Sequence, residues 1–292
     1  MAHFRRLIMA DWSAASSPGP RRPTKDRCWV GRIDPGERSP VVEYCRTRAI
    51  ARQFIQDWTE QVCASGPVLL GFDFPFGYPF GSGLPGGREL AVLMRARLQE
   101  SEDDANNRFA LAEEFNRQLL PNAEGPFWAH PPGRRFTDLQ PTRPKPWPAG
   151  IAEHRIADDR LRYLGIQAVW KLAYPASVGS QVFTGMASIG RLLAEASFRN
   201  ARIWPFETGF AADLTGIVIA EIWPNLFFAD WRYDPRAAEY GIRDAQQVAA
   251  TLLALHDADS NERITEALSP PADLTPVELD RIMAQEGWIV GA

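Results

Sequence analysis

Three short apolar runs in this chain stop on an acid: RLIMAD at Asp11, VLLGFD at Asp73 and IVIAE at Glu221. Runs of this kind read as buried strands, and the one ending at Asp73 is of the type flanked by helices on both faces. That restricts the chain to a sheet covered on each side. An acid within such a run is costly to bury alone and needs a partner.

The remaining punctuation fills in one α/β sheet. Residues 5–12 form the first strand, and RCWVGRID (27–34) and VVEYCR (41–46) the next two. The short connections, one of them the turn signal PGERS, favour an antiparallel meander. Ile50, Phe54, Trp58 and Val62 recur at helical spacing and predict a helix over 49–64. The Asp73 strand follows from Pro67. Residues 87–120 read as helical, 121–150 as a Pro-rich connector and 155–173 as helical, so about 85–175 is an inserted helical, Pro-rich subdomain within a single domain spanning 1–292. YPASVGSQVFTG leads into a helix from about 181 to 197. ARIWPFE and GIVIAEIWP read as two further strands, and 243–259 as a helix with Ala and Leu on one face. Three antiparallel strands, a crossover helix and a parallel strand fit one mixed sheet with helices on both faces.

Composition narrows the function. A net charge of −4 argues against a protein that coats nucleic acid non-specifically. No apolar run reaches 18 residues, and the apolar start runs into Asp11 too early for a secretory signal. Cys28, Cys45 and Cys63 have no metal-ligand spacing and read as free thiols in a reducing compartment. The expectation is a cytoplasmic protein with no membrane partner.

Parallel strand ends share a crevice where ligands bind. If the first and fourth strands are neighbours, Asp11 and Asp73 face that crevice together and repel unless a cation lies between them. Mg²⁺ or Mn²⁺ suits such an oxygen site. Glu221 repeats the design, and Glu207 in IWPFE does so less cleanly. Asp244, in the first turn of the last long helix, either complements the helix dipole or reaches the same cluster. Asp257 and Asp259, at the other end of that helix, read as solvated surface. Four acids at element tips (Asp11, Asp73, Glu221 and Asp244) suit two-metal phosphoryl transfer, and they are the expected catalytic and metal-binding residues. Ser13, Lys171, Ser180 and Gln181 are the expected substrate contacts, with the helix start at 177–181 offering N–H groups to a phosphate. Arg134, Arg135, Arg143, Lys145, Arg155, Arg160 and Arg162 interleave with Trp128, Phe136 and Trp147. They form either a solvated, Trp-packed face or a grip on single-stranded nucleic acid.

Several stretches resemble a known family. ADWSAASSP with KDRCWVG, GFDFPFGYP, LAYPASVGSQVFTG, IWPFE, AEIWP, RDAQQVAA and the terminal EGWIVG occur in this order over residues 10 to 291. They are similar to the bacterial domain of unknown function 429 group, predicted nucleases of ribonuclease H-like fold. The resemblance implies metal-binding roles for Asp11, Asp73, Glu221 and Asp244, and a divalent-cation-dependent phosphodiester hydrolase acting on nucleic acid or a phosphorylated small molecule. One departure stands out: a second acid one turn along the last helix is replaced by Gln247 and Val248. Two alternatives remain open, an actin-like nucleotide-dependent phosphotransferase and a binding protein with a vestigial site. The first normally carries Asp-x-Gly where this chain has Asp11-Trp12-Ser13.

Overall fold

A computed structural model describes residues 2–175, 177–210, 214–227 and 235–292. Its strands are β1 (Arg6–Asp11), β2 (Cys28–Ile33), β3 (Val41–Cys45), β4 (Val68–Phe72), β5 (Arg202–Ile203) and β6 (Ile217–Glu221). They form one mixed sheet in the order β3-β2-β1-β4-β6-β5. The β1–β2 and β2–β3 pairs are antiparallel, whereas β1–β4, β4–β6 and β5–β6 are parallel. The expected adjacency of the first and fourth strands is therefore present.

Strand alternation sorts the core into two layers. Ile8 and Ala10, Val68, Leu70 and Phe72, and Ile217 and Ile219 face one side. Against them pack α1 (Arg48–Glu60), α2 (Gly87–Arg97), α3 (Arg108–Leu119) and α5 (Gly179–Leu192). The Thr47 hydroxyl starts α1 by accepting the Ile50 N–H at 3.3 Å. Leu7 and Met9, Leu69, and Val218 and Ala220 face the other side. There they meet Val248 and Leu252 of α7 (Arg243–Ser260) and the C-terminal Trp288–Val290. Gly31 on β2 sets how closely α7 approaches: a Cβ there would lie 2.7 Å from both Leu252 Cδ1 and Val248 Cγ1. Among the described residues there are also the short helices α4 (Ile156–Arg160), α6 (Pro235–Ala238), α8 (Ile264–Ala267) and α9 (Pro276–Arg281).

Four expectations change. The helical stretch 87–120 divides into α2 and α3, because Asp104 turns left-handed (φ 70°) and offers its carboxylate and carbonyl to buried Arg48. The stretch 155–173 is helical only through Ile156–Arg160 and one 3₁₀ turn, Arg162–Leu164, which Gly165 ends at φ 83°. Beyond it Trp170 and Leu172 exchange backbone hydrogen bonds with Trp128 at 3.2 and 3.0 Å. The strand expected in ARIWPFE shortens to Arg202–Ile203, where the Glu207 carboxylate accepts the Ile203 N–H and closes the turn. Asp259 is 2% exposed, not solvated, and accepts the N–H groups of His3 and Phe4.

The inserted segment shares the main core. Leu90, Phe115, Phe127 and Trp170 belong to the same cluster as Ile8 and Leu70. Cys28, Cys45 and Cys63 are free thiols. Among the described residues no helix is long and apolar enough to cross a membrane.

Candidate functional site

Register places the first two acids. Ala10 on β1 lies beside Phe72 on β4, so Asp11 and Asp73 follow side by side at the carboxyl ends of two parallel strands. Asp11 falls on the face of Leu7 and Met9, the side covered by α7. The Asp73 Oδ1 accepts the Trp12 N–H at 2.7 Å, and the two carboxyls share a hydrogen bond donated by Asp11. Asp244 joins them from the first turn of α7. Its Oδ2 accepts the N–H of Asp26 at 2.6 Å, and Asp26 holds a left-handed backbone (φ 59°) to present that N–H.

At the two strand-end carboxyls burial and neighbouring acids act in the same direction, while Asp244 also feels the cations Arg243 and Lys25. Burial pushes the Asp11 carboxyl well above the usual carboxylate range, and every charged neighbour that adds to the rise is another acid: Asp73, Asp244 and Asp26. Burial pushes Asp73 up to about 7, against the hydrogen bonds from Asp11 and Trp12 that favour its charge. Burial also raises Asp244. The Asp11–Asp73 pair therefore retains a proton near neutral pH unless a cation replaces it. These acids do not close into a ready cage: among the described residues no set of three or more Asp, Glu, His or Cys side chains stands in position to hold a metal ion.

A cavity of about 500 Å³ opens above Asp11. Asp26 and Asp244 line one side, and Ser13, Ser180, Gln181 and Arg108 line another. Ser180 Oγ donates to the Leu172 carbonyl at 2.5 Å, and Gln181 Nε2 donates to the Trp12 carbonyl at 2.8 Å, clamping the residue that follows Asp11. Ser13 Oγ donates to the Asp26 carbonyl at 3.3 Å. Lys171 does not line this cavity. Its Nζ donates to the Pro175 carbonyl at 2.8 Å and lies over the Trp128 ring. A smaller cavity of about 220 Å³ lies against Asp73 and shares Ser177 and Gln181 with the first.

Glu221 lines the smaller cavity with Asp73 but not the larger one above Asp11, and strand parity sets it apart from Asp11. It lies beside Phe72 in the β4–β6 register, which puts it on the face opposite Asp11. The β6 residues flanking it, on the Asp11 side of the sheet, are Ala220 and Ile222. Both Glu221 oxygens accept from the Arg155 guanidinium at 2.7 Å, and Oε2 also accepts the Phe76 N–H. Arg155 is in turn bonded to Asp158 at 2.8 Å, and the whole group is buried. A carboxylate so engaged is a structural ion pair. Glu207 pairs with Arg88 at 2.5 Å and also stands outside the cluster.

Sequence reasoning missed three contributors: Asp26, Arg108 and Arg48. Arg48 is fully buried and donates to the carbonyls of Ser13 and Ala15 at 2.9 and 2.8 Å, holding the β1–β2 loop at the cavity wall. Arg108 carried a signal: a cation in the first turn of a helix opposes the helix dipole, so some other demand keeps it there. In the basic insertion, Arg143, Arg155, Arg160 and Arg162 are each tied up in ion pairs. Four of the seven basic residues of this stretch are thus engaged within the protein, Arg155 fully buried. No family model, curated protein or solved structure matches the chain.

Proposed function

We propose that this protein is a Mg²⁺- or Mn²⁺-dependent phosphodiester hydrolase built on a ribonuclease H-like sheet. Asp11 and Asp73 would hold the cation, with Asp244 beside them. One observation carries the reading: two carboxyls stand side by side at the ends of adjacent parallel strands, burial raises both, and Asp11 borders a cavity large enough for a substrate. The donor set fits a hard divalent ion. It offers only oxygen, it is short of protein ligands, and Mg²⁺ commonly takes one or two carboxylates and fills the rest of its shell with water and substrate phosphate.

When bound, such an ion polarises a phosphoryl oxygen and lowers the pKa of water. The chain's own residues do the rest. Asp73 is fixed by the Trp12 N–H, so its second oxygen has a defined direction. Asp244 is raised by burial, within reach of the role of a general base for a water entering the cavity. Gln181 keeps the backbone after Asp11 in place. Kinship with the domain of unknown function 429 group is part of the same proposal and rests on the quoted sequence words. The phosphotransferase alternative has less support: Ser13 stands where the phosphate-binding hairpin has glycine, and the residue between is a bulky Trp12, 1% exposed and packed on Phe72 and Phe74.

The test is Mn²⁺-dependent hydrolysis of bis(p-nitrophenyl) phosphate. Asp11→Asn should lower the rate by about a hundredfold or more with an unchanged circular dichroism spectrum. Full turnover by that variant would refute the proposal.

A further inference from the structure

Arginines withdrawn from solvent elsewhere in this molecule each meet a carboxylate: Arg6 with Asp34, Arg48 with Glu100, Arg155 with Glu221. Arg108 does not. Its side chain lies over the Phe109 ring and bonds neutral oxygens, on Ser16, Asn106 and Ser180, at 2.7 to 2.9 Å. Among the described residues its Nη2 has no acceptor. Burial, then the charges of Arg48 and Arg134, hold its pKa down at about 10. A cation with no carboxylate on it, at the wall of a cavity whose acids Asp11, Asp26 and Asp244 belong to the cation site, is a place where a phosphate gains on arrival.

Tyr174 stands on the same cavity. It is 51% exposed, and its backbone is left-handed at φ 73°, an uncommon conformation for a bulky residue. Its hydroxyl donates to the His130 carbonyl at 2.9 Å, so the ring is both presented and fixed. A fixed, exposed aromatic ring is a stacking platform.

We infer that Arg108 and Tyr174 form a nucleotide subsite, with a phosphate on the Arg108 guanidinium and a base stacked on the Tyr174 ring. This deepens the hydrolase reading, since it rests on the cavity being the substrate site, but its binding step needs no metal. The cavity volume of about 500 Å³ matches one nucleotide-sized molecule.

Calorimetry in EDTA with 5′-AMP and ribose 5-phosphate tests it. Arg108→Gln should weaken both ligands at least tenfold. Tyr174→Asn should weaken AMP about tenfold and leave ribose 5-phosphate within twofold. The second variant reads the subsite even if the first fails to fold. Unchanged AMP affinity in a folded Arg108→Gln, equal effects of Tyr174→Asn on both ligands, or no AMP binding to the wild type at millimolar concentration overturns the inference. A Mn²⁺ titration of the same proteins separates the two readings. Mn²⁺ binding without AMP binding sinks only the subsite, and AMP binding without Mn²⁺ binding sinks only the cation site. A 5′-phosphorylated tetranucleotide distinguishes the source. Tighter binding than AMP supports the subsite as a strand-end site, and weaker binding supports it as a free-nucleotide site.

Discussion

Asp73→Asn should make the cation-free protein more stable at pH 8. Asparagine keeps an Oδ1 for the Trp12 N–H and cannot ionise, so it removes the buried charge that Asp73 takes on above about pH 7. The sign follows from linkage. Asp73 moves from 3.8 unfolded to about 7 folded, so the native state binds more protons across that window. Wild-type stability from this group is complete below about pH 4 and is lost as pH rises through about 7. At 1.36 kcal/mol per pH unit the full effect is about 4 kcal/mol. The side chain keeps some contact with cavity water, which halves this to roughly 2 kcal/mol. For a chain of this size that is a rise in Tm of roughly 4 °C. Scanning calorimetry in EDTA should show this gap at pH 8 and almost none at pH 4. Adding Mn²⁺ at about a hundred times its Kd adds about 2.7 kcal/mol to the wild type and nothing to the variant, which cancels or reverses the order. A variant that melts below the wild type at pH 8 in EDTA, or that gains as much from Mn²⁺, would refute the reasoning.

Three further outcomes are expected. Glu221→Ala leaves buried Arg155 short of its bidentate partner and should cost about 3–5 kcal/mol in urea unfolding, while Mn²⁺ affinity in the folded protein is kept; lost affinity would return Glu221 to the metal site. Gly31→Val drives methyls into Val248 and Leu252, and should cost about 1–3 kcal/mol and weaken Mn²⁺ binding as α7 carries Asp244 away; unchanged binding would remove Asp244 from the site. Burial alone would raise Asp34, but the hydrogen bonds and charge of Arg6 outweigh it and hold the carboxyl below its ordinary value. Stability from that pair is present above about pH 4 and is lost as pH falls through the lower folded value, so Asp34→Asn should flatten the acid limb of the stability curve.

The sheet was readable because each strand announces itself locally: an apolar run, a turn signal, then an acid. Pairing Asp11 with Asp73 needed only the adjacency of two parallel strands. The face of Glu221 was not readable, because an acid at a strand end says nothing about which face it occupies. That depends on the register of β6 against β4, a non-local property. Residues 87–120 were read as continuous helix because the chain's reason for breaking, the demand of buried Arg48 for Asp104 and Glu100, lies 50 residues away. Tyr174 was invisible for the same reason, since a ring left in the open is defined by what surrounds it, and Arg108 gave only the signal of a cation in the first turn of a helix.

The Arg155–Glu221 pair has a consequence for folding fidelity. β4 and β6 are apolar on both faces, so sliding one past the other by a single residue exchanges aliphatic for aliphatic and costs little in burial. The carboxylate breaks that degeneracy. Shifted by one position, Glu221 would point into the layer of Val248 and Leu252, and Arg155 and Asp158 would be left buried with their charges unbalanced. Only one alignment of these strands lets the two prongs of the guanidinium close, and it is the alignment that sets Ile222, not an acid, next to Asp73. The ion pair thus acts as a proofreading key for strand placement, and the number of acids at the neighbouring crevice is fixed when it turns.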